Sequence, residues 1–254
     1  ECLVGSEMCI RDRYEDVYPV LYLKYRLSRQ AERSNIKHLV IDEMQDYSRL
    51  QYLIIRRMFS CKMTILGDRA QTMADQQQDV LQFLPGIFGK DLRRIEMRKS
   101  YRNTVELASY AANLIGVTDL ELFERHGMPV LERDVTDLEA ALREAVDTLF
   151  PDEKTYETAA VIVPDEKTAE RAYLILREIL AEKDFDCEKR LSWLNRDSSS
   201  FKKGLTVTTF YLAKGLEFDQ VFSIFPKDEK REMMMQAQYI AATRALHELR
   251  VYHI

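Results

Sequence analysis

Apolar runs alternate along this chain with segments whose apolar residues recur at helical spacing. In the first part, this pattern predicts helices over Tyr14–Arg33 and Ser48–Met58, and buried strands over Ile36–Ile41 and Lys62–Leu66. Strands without polar alternation, separated by helices, are typical of a parallel sheet covered by helices. The polar, glutamine-rich stretch Gln71–Gln82 is predicted to be a loop or a surface helix.

The same alternation continues beyond a boundary that we place near Arg93, and it predicts a second α/β unit. Leu92–Met97 is predicted to be the strand that crosses into this unit. The further predicted elements are helices over Thr104–Ile115, Leu138–Phe150, Ala169–Ala181 and Met233–Ala245, and strands over Ala159–Val163, Leu205–Phe210, Gln220–Ile224 and Leu249–Tyr252.

Candidate chemistry first appears where an early apolar strand ends in acidic residues. Asp42 and Glu43 follow the strand directly, and Gln45 and Asp46 come next. One such acid can hold Mg²⁺ through water while its neighbour polarises an attacking water. An acidic pair after a strand is more often a solvated turn, and Asp46 is also a candidate N-cap of the following helix.

The acidic stretch becomes more specific because four further motifs follow it in order. The five segments are Val40–Asp46, Thr64–Gln71, Lys99–Asn103, Thr206–Asp219 and Gln238–Ala245. Together, over roughly Tyr14 to Ile254, they resemble motifs II to VI of superfamily 1 helicases of the UvrD/Rep type. The tails IDEMQDYS, YLAKGLEFD and TRALHEL are most similar to the HelD, or helicase-IV-like, branch.

This resemblance implies two RecA-like parallel-sheet units of the P-loop NTPase type, with ATP and Mg²⁺ as cofactors. Asp42 is then the candidate Mg²⁺ ligand and Glu43 the candidate general base for water. Gln45 would contact the nucleotide site and relay its state together with Asp46, and Gln71 resembles the motif III glutamine that senses the γ-phosphate.

In the second unit the resemblance implies residues that contact ATP across a cleft. Arg102 and Arg244 would close on the γ-phosphate, for which the planar, permanently charged guanidinium is suited. Glu217 resembles the motif V acid that hydrogen-bonds the ribose, and Gly215 would permit the close turn beside it.

Residues for gripping a nucleic-acid strand are predicted at the end of the Thr206–Phe210 run. Thr209 and Tyr211 are the candidates, since translocating motors bind the strand backbone and stack bases on aromatic rings. Many UvrD relatives have histidine where this chain has Tyr211.

The phosphate-binding loop G-x-x-x-x-G-K-[ST] does not occur in the 254 residues. The expectation is therefore that the chain is the C-terminal portion of a longer motor, with an incomplete first unit and no activity by itself. Residues 1–13 resemble the translation of a transposase-type sequencing adaptor and are predicted to be non-native. The predicted domains are residues 14–92 of a first RecA-like unit and residues 93–254 of a second.

Composition narrows the class of protein further. Apolar residues form 46% of the chain and the net charge is −5, which fits a globular protein that is not basic overall. Cys61 and Cys187 stand apart and the histidines form no ligand cluster, which favours a reducing, cytoplasmic compartment over a metal or disulfide protein. No apolar run approaches the ~18 residues of a membrane span.

Two functions are compatible with these observations. The first is an ATP-dependent 3′-to-5′ DNA helicase or translocase, monomeric, that moves on single-stranded DNA; the polarity comes from the family alone. The alternative is a HelD-type motor that acts on RNA polymerase without unwinding DNA. A helicase–nuclease subunit is disfavoured, because the chain stops almost at the last motif.

Overall fold

The computed structural model describes residues 14–27, 35–71, 79–89, 92–118, 120–150, 156–183, 186–196, 198, 203–227 and 232–254. Residues 1–13, which are predicted to be non-native, lie outside these ranges. The chain divides into two compact units, Glu1–Glu96 and Met97–Ile254.

In the described part of the first unit, three helices accompany a two-stranded parallel sheet. Strand β1 pairs with β2 so that Ile41 lies opposite Ile65. A small core forms around Tyr52, together with the buried side chains of Ile41 and Leu84. The elements are α1 (Tyr14–Leu27), β1 (His38–Ile41), α2 (Arg49–Met58), β2 (Lys62–Ile65) and α3 (Val80–Phe88).

Two predictions for this unit need correction. Strand β1 is not buried throughout: Ile41 is buried, whereas Val40 is 60% exposed, because the described part of this sheet has only two strands. Leu92–Met97 forms no strand, and its side chains are exposed. Helix α3 begins at Val80, inside the polar stretch that is predicted to be a loop or a surface helix, and does not contradict that prediction. Residues 72–78 of the stretch lie outside the described residues.

The second unit is built on a six-stranded sheet in which every adjacent pair is parallel, in the order β5-β10-β9-β6-β8-β7. A separate small parallel pair joins β3 to β4. The strands are β3 (Lys99–Ser100), β4 (Glu121–Leu122), β5 (Leu131–Asp134), β6 (Thr158–Val163), β7 (Leu191–Trp193), β8 (Gly204–Thr209), β9 (Phe218–Phe225) and β10 (Ala245–His253); the helices are α4 (Val105–Leu114), α5 (Leu138–Asp147), α6 (Glu166–Ala181), α7 (Cys187–Arg190) and α8 (Glu232–Thr243).

Four helices of this unit begin directly after a residue whose side chain caps them. Thr104, Asp137, Asp165 and Asp186 each accept a hydrogen bond from the backbone amide three residues further on. Such a cap satisfies one of the free amides of the first turn, which is why these helices begin where they do.

Apolar side chains cover both faces of the six-stranded sheet. Along β6, Val161 packs with α5 and α6 on one face, while Ile162 packs with α4 and α8 on the other. The prediction of an α/β fold with parallel sheets is confirmed, since helices cover both faces of a sheet whose neighbouring strands are all parallel. In the part of the chain that the structure describes, every helix is too short or too polar to cross a bilayer.

Candidate functional site

The acidic segment of the first unit lies at the edge of the sheet where both parallel strands end. The backbone amide of Leu66, after β2, donates to the carbonyl of Ile41 at 2.8 Å, and the amide of Met44 donates to the carbonyl of Leu66 at 2.8 Å. These bonds hold the segment that contains Asp42 and Glu43 against the segment that contains Asp68 and Gln71.

Glu43 adopts an unusual backbone conformation for a residue with a side chain. Its φ and ψ angles are 51° and 50°, in the left-handed region, which non-glycine residues seldom occupy. Its amide donates to Oδ1 of the preceding Asp42 at 2.8 Å, and it caps a short 3₁₀ turn over Met44–Asp46. The strained turn therefore fixes the directions in which two adjacent carboxylates leave the strand.

A buried glutamine joins the two strand ends through its side-chain amide. Gln45, 7% exposed, donates from Nε2 to Oε2 of Glu43 at 2.5 Å and accepts the Asp68 amide on Oε1 at 3.1 Å. Gly67 permits this approach, since a Cβ there would overlap with Oε1 of Gln45 and with the backbone of Met44.

The hydrogen-bonded series continues from Asp68 to Gln71. The Asp68 carboxylate accepts the Ala70 amide at 3.0 Å and Nε2 of Gln71 at 3.1 Å. Gln71 is only 8% exposed, and this hydrogen bond to Asp68 holds its side chain in place. Four residues, Glu43, Gln45, Asp68 and Gln71, thus form one continuous series of hydrogen bonds between two predicted motifs, in which Gln45 bonds to the backbone amide of Asp68.

The core beneath this network supports its backbone. The Tyr52 hydroxyl, on a fully buried side chain, donates to the carbonyl of Met44 at 3.0 Å, and burial raises the pKa of this phenol. Ser48, not Asp46, caps α2, in a reciprocal capping box with Gln51. Asp46 is exposed beside the cap.

Asp42 has the chemistry of the Mg²⁺ ligand that the sequence resemblance implies. Its side chain is exposed at the strand end, and a hard carboxylate oxygen is the ligand that Mg²⁺ prefers. Among the described residues no three acidic, histidine or cysteine side chains form a complete metal cage. That is compatible with Mg²⁺, which is usually held by one or two carboxylates, water and substrate phosphates.

In the second unit, two predicted ATP-contacting residues touch each other. Arg102 Nε lies 2.9 Å from Glu217 Oε1, and both side chains are about half exposed. The neighbouring Asn103 donates from Nδ2 to the carbonyl of Ala245 at 2.7 Å, which fastens the Arg102 segment to the start of β10. Residues more than a hundred positions apart in the sequence are thereby brought together.

Arg244 lies close to this pair but is enclosed. It is 3% exposed, and its guanidinium donates to the carbonyl of Leu216 at 3.4 Å and to Thr243 Oγ1 at 3.2 Å. The Arg244 carbonyl accepts the amide of Phe218 at 3.0 Å, so the backbone of Arg244 is hydrogen-bonded to the first residue of β9. Contact with a phosphate therefore requires this side chain to turn outward.

Gly215 supplies the turn that precedes Glu217. Its φ is 80°, and a Cβ at this position would meet no atom within 4 Å. The glycine is therefore required by the backbone conformation and not by lack of space.

The predicted strand-binding residues lie at the opposite edge of the same sheet. Thr209 ends β8 opposite Val163, whereas β9 begins beside Ala159, at the other end of β6. Thr209 is 1% exposed, and its hydroxyl has no hydrogen-bond partner among the described residues. Tyr211 is half-buried and donates its hydroxyl to Glu166 Oε1 at 2.9 Å.

Comparison with known proteins bears chiefly on the first of these two regions. Residues 17–73 match the UvrD/REP helicase N-terminal domain. The segment that contains Asp42, Glu43, Gln45 and Gln71 is therefore UvrD-like. No curated protein matches the chain.

Several solved helicase structures are similar to part of this chain. The C-terminal domain of a possible DNA helicase from Lactobacillus plantarum WCFS1 is 23% identical over 61% of this chain and 88% of its own, with a TM-score of 0.47. The PRRSV helicase is 17% identical over 85% of this chain, with a TM-score of 0.47, and an arterivirus nonstructural protein 10 is 14% identical over 84%, with a TM-score of 0.39. The present chain spans 35% and 38% of these two viral chains.

Two residues of these sites were not foreseen from the sequence. Glu166 is the first residue of α6 and contacts Tyr211, and Arg196 follows β7 and contacts Glu166 at 2.9 Å. Neither stands in a recognisable motif. The one available signal was the rule that polar residues after parallel strands gather at a common edge.

Proposed function

We propose that this chain provides part of the ATP site and of the strand-binding surface of an ATP-dependent 3′-to-5′ DNA helicase or translocase of the UvrD type. The observation that carries the proposal is the hydrogen-bonded series Glu43–Gln45–Asp68–Gln71. It connects the candidate general base with the candidate γ-phosphate sensor, in a segment similar to the UvrD/REP N-terminal domain.

The chemistry assigned to the first unit is activation of the attacking water. Glu43 is the base, and its hydrogen bond from Gln45 holds the carboxylate in one orientation. Mg²⁺, held through Asp42, would neutralise charge on the phosphates. Gln45 also binds the Asp68 amide, and Asp68 binds Gln71. A shift of Gln71 on contact with the γ-phosphate would therefore be passed to Glu43 through Asp68 and the side-chain amide of Gln45.

The second unit is assigned the stabilisation of charge that develops on the transferred phosphoryl group. Arg102 and Arg244 provide guanidinium groups for this purpose, and Glu217 provides a carboxylate for the ribose hydroxyls. In the structure Arg102 pairs with Glu217, and Arg244 is enclosed. Both arginines would have to rearrange when ATP binds, which would link hydrolysis to a conformational step.

The motif of the phosphate-binding loop does not occur in these 254 residues. We propose that the chain alone does not hydrolyse ATP at a useful rate. The test compares the chain as printed with the same chain joined to the genomic sequence upstream of Tyr14. ATP hydrolysis is measured with and without single-stranded DNA, and strand displacement is measured on duplexes with a 3′ or a 5′ tail.

The expected result is hydrolysis stimulated by single-stranded DNA, and displacement from the 3′ tail, in the joined protein only. In that protein Glu43→Gln should lower turnover by about 10²–10⁴, the usual contribution of a general base. Robust turnover by the printed chain, lost in Glu43→Gln, would contradict the proposed dependence on an added loop. Undiminished turnover in the joined Glu43→Gln protein would contradict the assignment of the base.

The tails YLAKGLEFD and TRALHEL favour one alternative, a HelD-type motor that acts on RNA polymerase. Such a motor would use the same ATP residues but would not separate strands. Co-sedimentation with core RNA polymerase, together with ATP hydrolysis that polymerase stimulates and a tailed duplex does not, would select this alternative.

A further inference from the structure

A cation, an anion and a phenol converge at the edge of the six-stranded sheet where β6, β7 and β8 end. Glu166 Oε1 accepts the Tyr211 hydroxyl at 2.9 Å and also lies 2.9 Å from Arg196 Nε. The Arg196 guanidinium lies 6.0 Å from the centre of the Tyr211 ring. One carboxylate oxygen therefore accepts two donors that come from two different strand ends.

The turn that carries Arg196 is anchored. The Leu194 amide donates to the Val207 carbonyl at 2.9 Å, and the Asn195 amide donates to Ser198 Oγ at 3.0 Å. The ring of Trp193, just before the turn, stacks on Tyr173 with a centroid distance of 6.0 Å. The base of the Arg196 side chain is thus fixed, while the side chain itself is 75% exposed.

A second observation at the same edge is the buried hydroxyl of Thr209. Thr209 lies two and four positions after Val207 and Leu205 in β8, so all three residues lie on the same face of the sheet. Leu205 and Val207 pack against α6, the helix that carries Glu166. Thr209 is 1% exposed, and its hydroxyl has no hydrogen-bond partner among the described residues. A buried hydroxyl left without a partner costs free energy, and a bound anion would relieve this cost.

We propose that Arg196, Tyr211 and Thr209 form a subsite for one phosphate of a single-stranded DNA backbone, and that Glu166 occupies this subsite until the strand arrives. A phosphodiester oxygen presents the same chemistry as the carboxylate oxygen: an anionic acceptor that takes one guanidinium and one hydroxyl hydrogen bond. Glu166 and a phosphate cannot share these donors, because like charges repel. The proposal rests on the proposed function of the chain as a DNA motor, and it adds a residue that opposes binding.

If this is correct, removal of the acidic charge at Glu166 should tighten DNA binding, because it frees Arg196 for the phosphate. Removal of an acidic charge elsewhere on α6 should not have this effect. Helix α6 offers a matched control in Glu170, one turn further along and exposed. Glu170→Gln removes the same charge from the same helix without touching the subsite. Both are surface substitutions, and thermal unfolding of each variant checks that the fold is retained.

The experiment is a double-mutant cycle on the 254-residue chain, with fluorescence anisotropy of a labelled oligothymidylate as the readout. Glu166→Gln should tighten binding about threefold to fivefold, as expected for an exposed ion pair, and Glu170→Gln by much less. Arg196→Ala should weaken binding about tenfold and lower the slope of log K against log salt concentration by about 0.7, the value for one phosphate contact. In the Arg196→Ala background, Glu166→Gln should have no more effect than Glu170→Gln.

Different failures have different meanings. If the wild-type chain does not bind oligothymidylate, the strand-binding role of this unit and the subsite are both wrong. If it binds but Glu166→Gln and Glu170→Gln act alike, or if the Glu166→Gln effect persists without Arg196, the subsite alone is wrong. Competition by inorganic phosphate that is lost in Arg196→Ala would indicate a free-anion site and overturn the assignment to a DNA strand.

Discussion

The two edges of the six-stranded sheet hold their charged side chains in different ways. At the amino ends of β9 and β10, Arg244 is 3% exposed and bound to backbone and threonine oxygens. At the carboxyl ends of β7 and β8, Arg196 is 75% exposed and its ion-pair partner Glu166 is 43% exposed. The edges are separated by the four steps from Ala159 to Val163 along β6, about 13 Å at the rise of a parallel strand.

This difference supports the separate tasks that we propose for the two edges of this unit. An enclosed arginine meets a small ligand only after its neighbours move, which suits a step that must wait for closure around ATP. An exposed arginine on an anchored turn is accessible to a long polymer without such a change. The carboxylates differ in the same way, because Glu217 pairs with an arginine of its own site while Glu166 holds two donors that a strand could take over.

The largest expected effect is at the amino edge. Arg102→Ala, in the protein that includes the phosphate loop, should lower single-turnover hydrolysis by about 10³, the lower range for arginine fingers. Binding of single-stranded DNA should be unchanged. Arg143→Ala, which removes an exposed arginine that pairs with Glu139 on α5, is the control and should keep wild-type turnover. A loss of DNA affinity in Arg102→Ala would contradict the assignment of separate tasks to the two edges.

Glu217→Gln should have a smaller effect, confined to nucleotide binding. It removes one hydrogen bond to a charged group, so KM for ATP should rise about tenfold. Turnover at saturating ATP should stay near wild type, because a ribose contact is made equally in the ground and transition states. A fall in turnover equal to that of Arg102→Ala would instead show that the Arg102–Glu217 pair works as one catalytic unit.

Much of the fold could be predicted from sequence because local signals fix it. The capping pair Ser48 and Gln51 and the cap Thr104 place two helix starts within one residue of the prediction. The apolar runs of β6, β8 and β9 are strands, as predicted, and the structure buries them on both faces. In these segments the local preference and the tertiary environment agree.

Other features depend on contacts that no local pattern reports. Val40 stands in an apolar run typical of a buried strand, yet it is exposed. Burial depends on which elements cover the sheet, and a local pattern does not report that. Glu166 and Tyr211 meet across 45 positions of sequence, and the two belong to different elements. The motifs predicted Arg102 and Glu217 separately, but the ion pair between them becomes visible only in the folded unit.

Replacement of Gly215 should show that the backbone conformation, and not close packing, requires a glycine at this position of the amino edge. Gly215→Ala should lower the free energy of unfolding by about 1–2 kcal/mol, because φ is 80° there although the space is open. Gly86→Ala, inside α3 with equally open space, should be neutral or raise it by up to about 1 kcal/mol. Denaturant unfolding measures both; equal effects would mean that the conformation of Gly215 carries no constraint.

The smallest expected effect is a pH dependence at the start of α4. Hydrogen bonds from His126 and the Gly127 amide lower the pKa of Glu106, in the first turn of α4, from 4.5 to about 2. Since the folded pKa is the lower one, this stabilisation is complete above pH 4.5 and is lost as the pH falls toward about 2. The difference in melting temperature between wild type and Glu106→Gln should shrink over this range. A difference that does not depend on pH would contradict the assignment.

One measurement tests the division of tasks most directly. Arg244→Lys and Arg196→Ala are compared in the protein that includes the phosphate loop, by single-turnover ATP hydrolysis over a titration of single-stranded DNA. Arg244→Lys should bind DNA like wild type but hydrolyse ATP slowly even at saturation, since an ammonium cannot reproduce the guanidinium fork. Arg196→Ala should need about tenfold more DNA yet reach the wild-type rate at saturation. If Arg196→Ala stays slow at saturation, or if Arg244→Lys hydrolyses ATP like wild type, the assignment of separate tasks to the two edges is wrong.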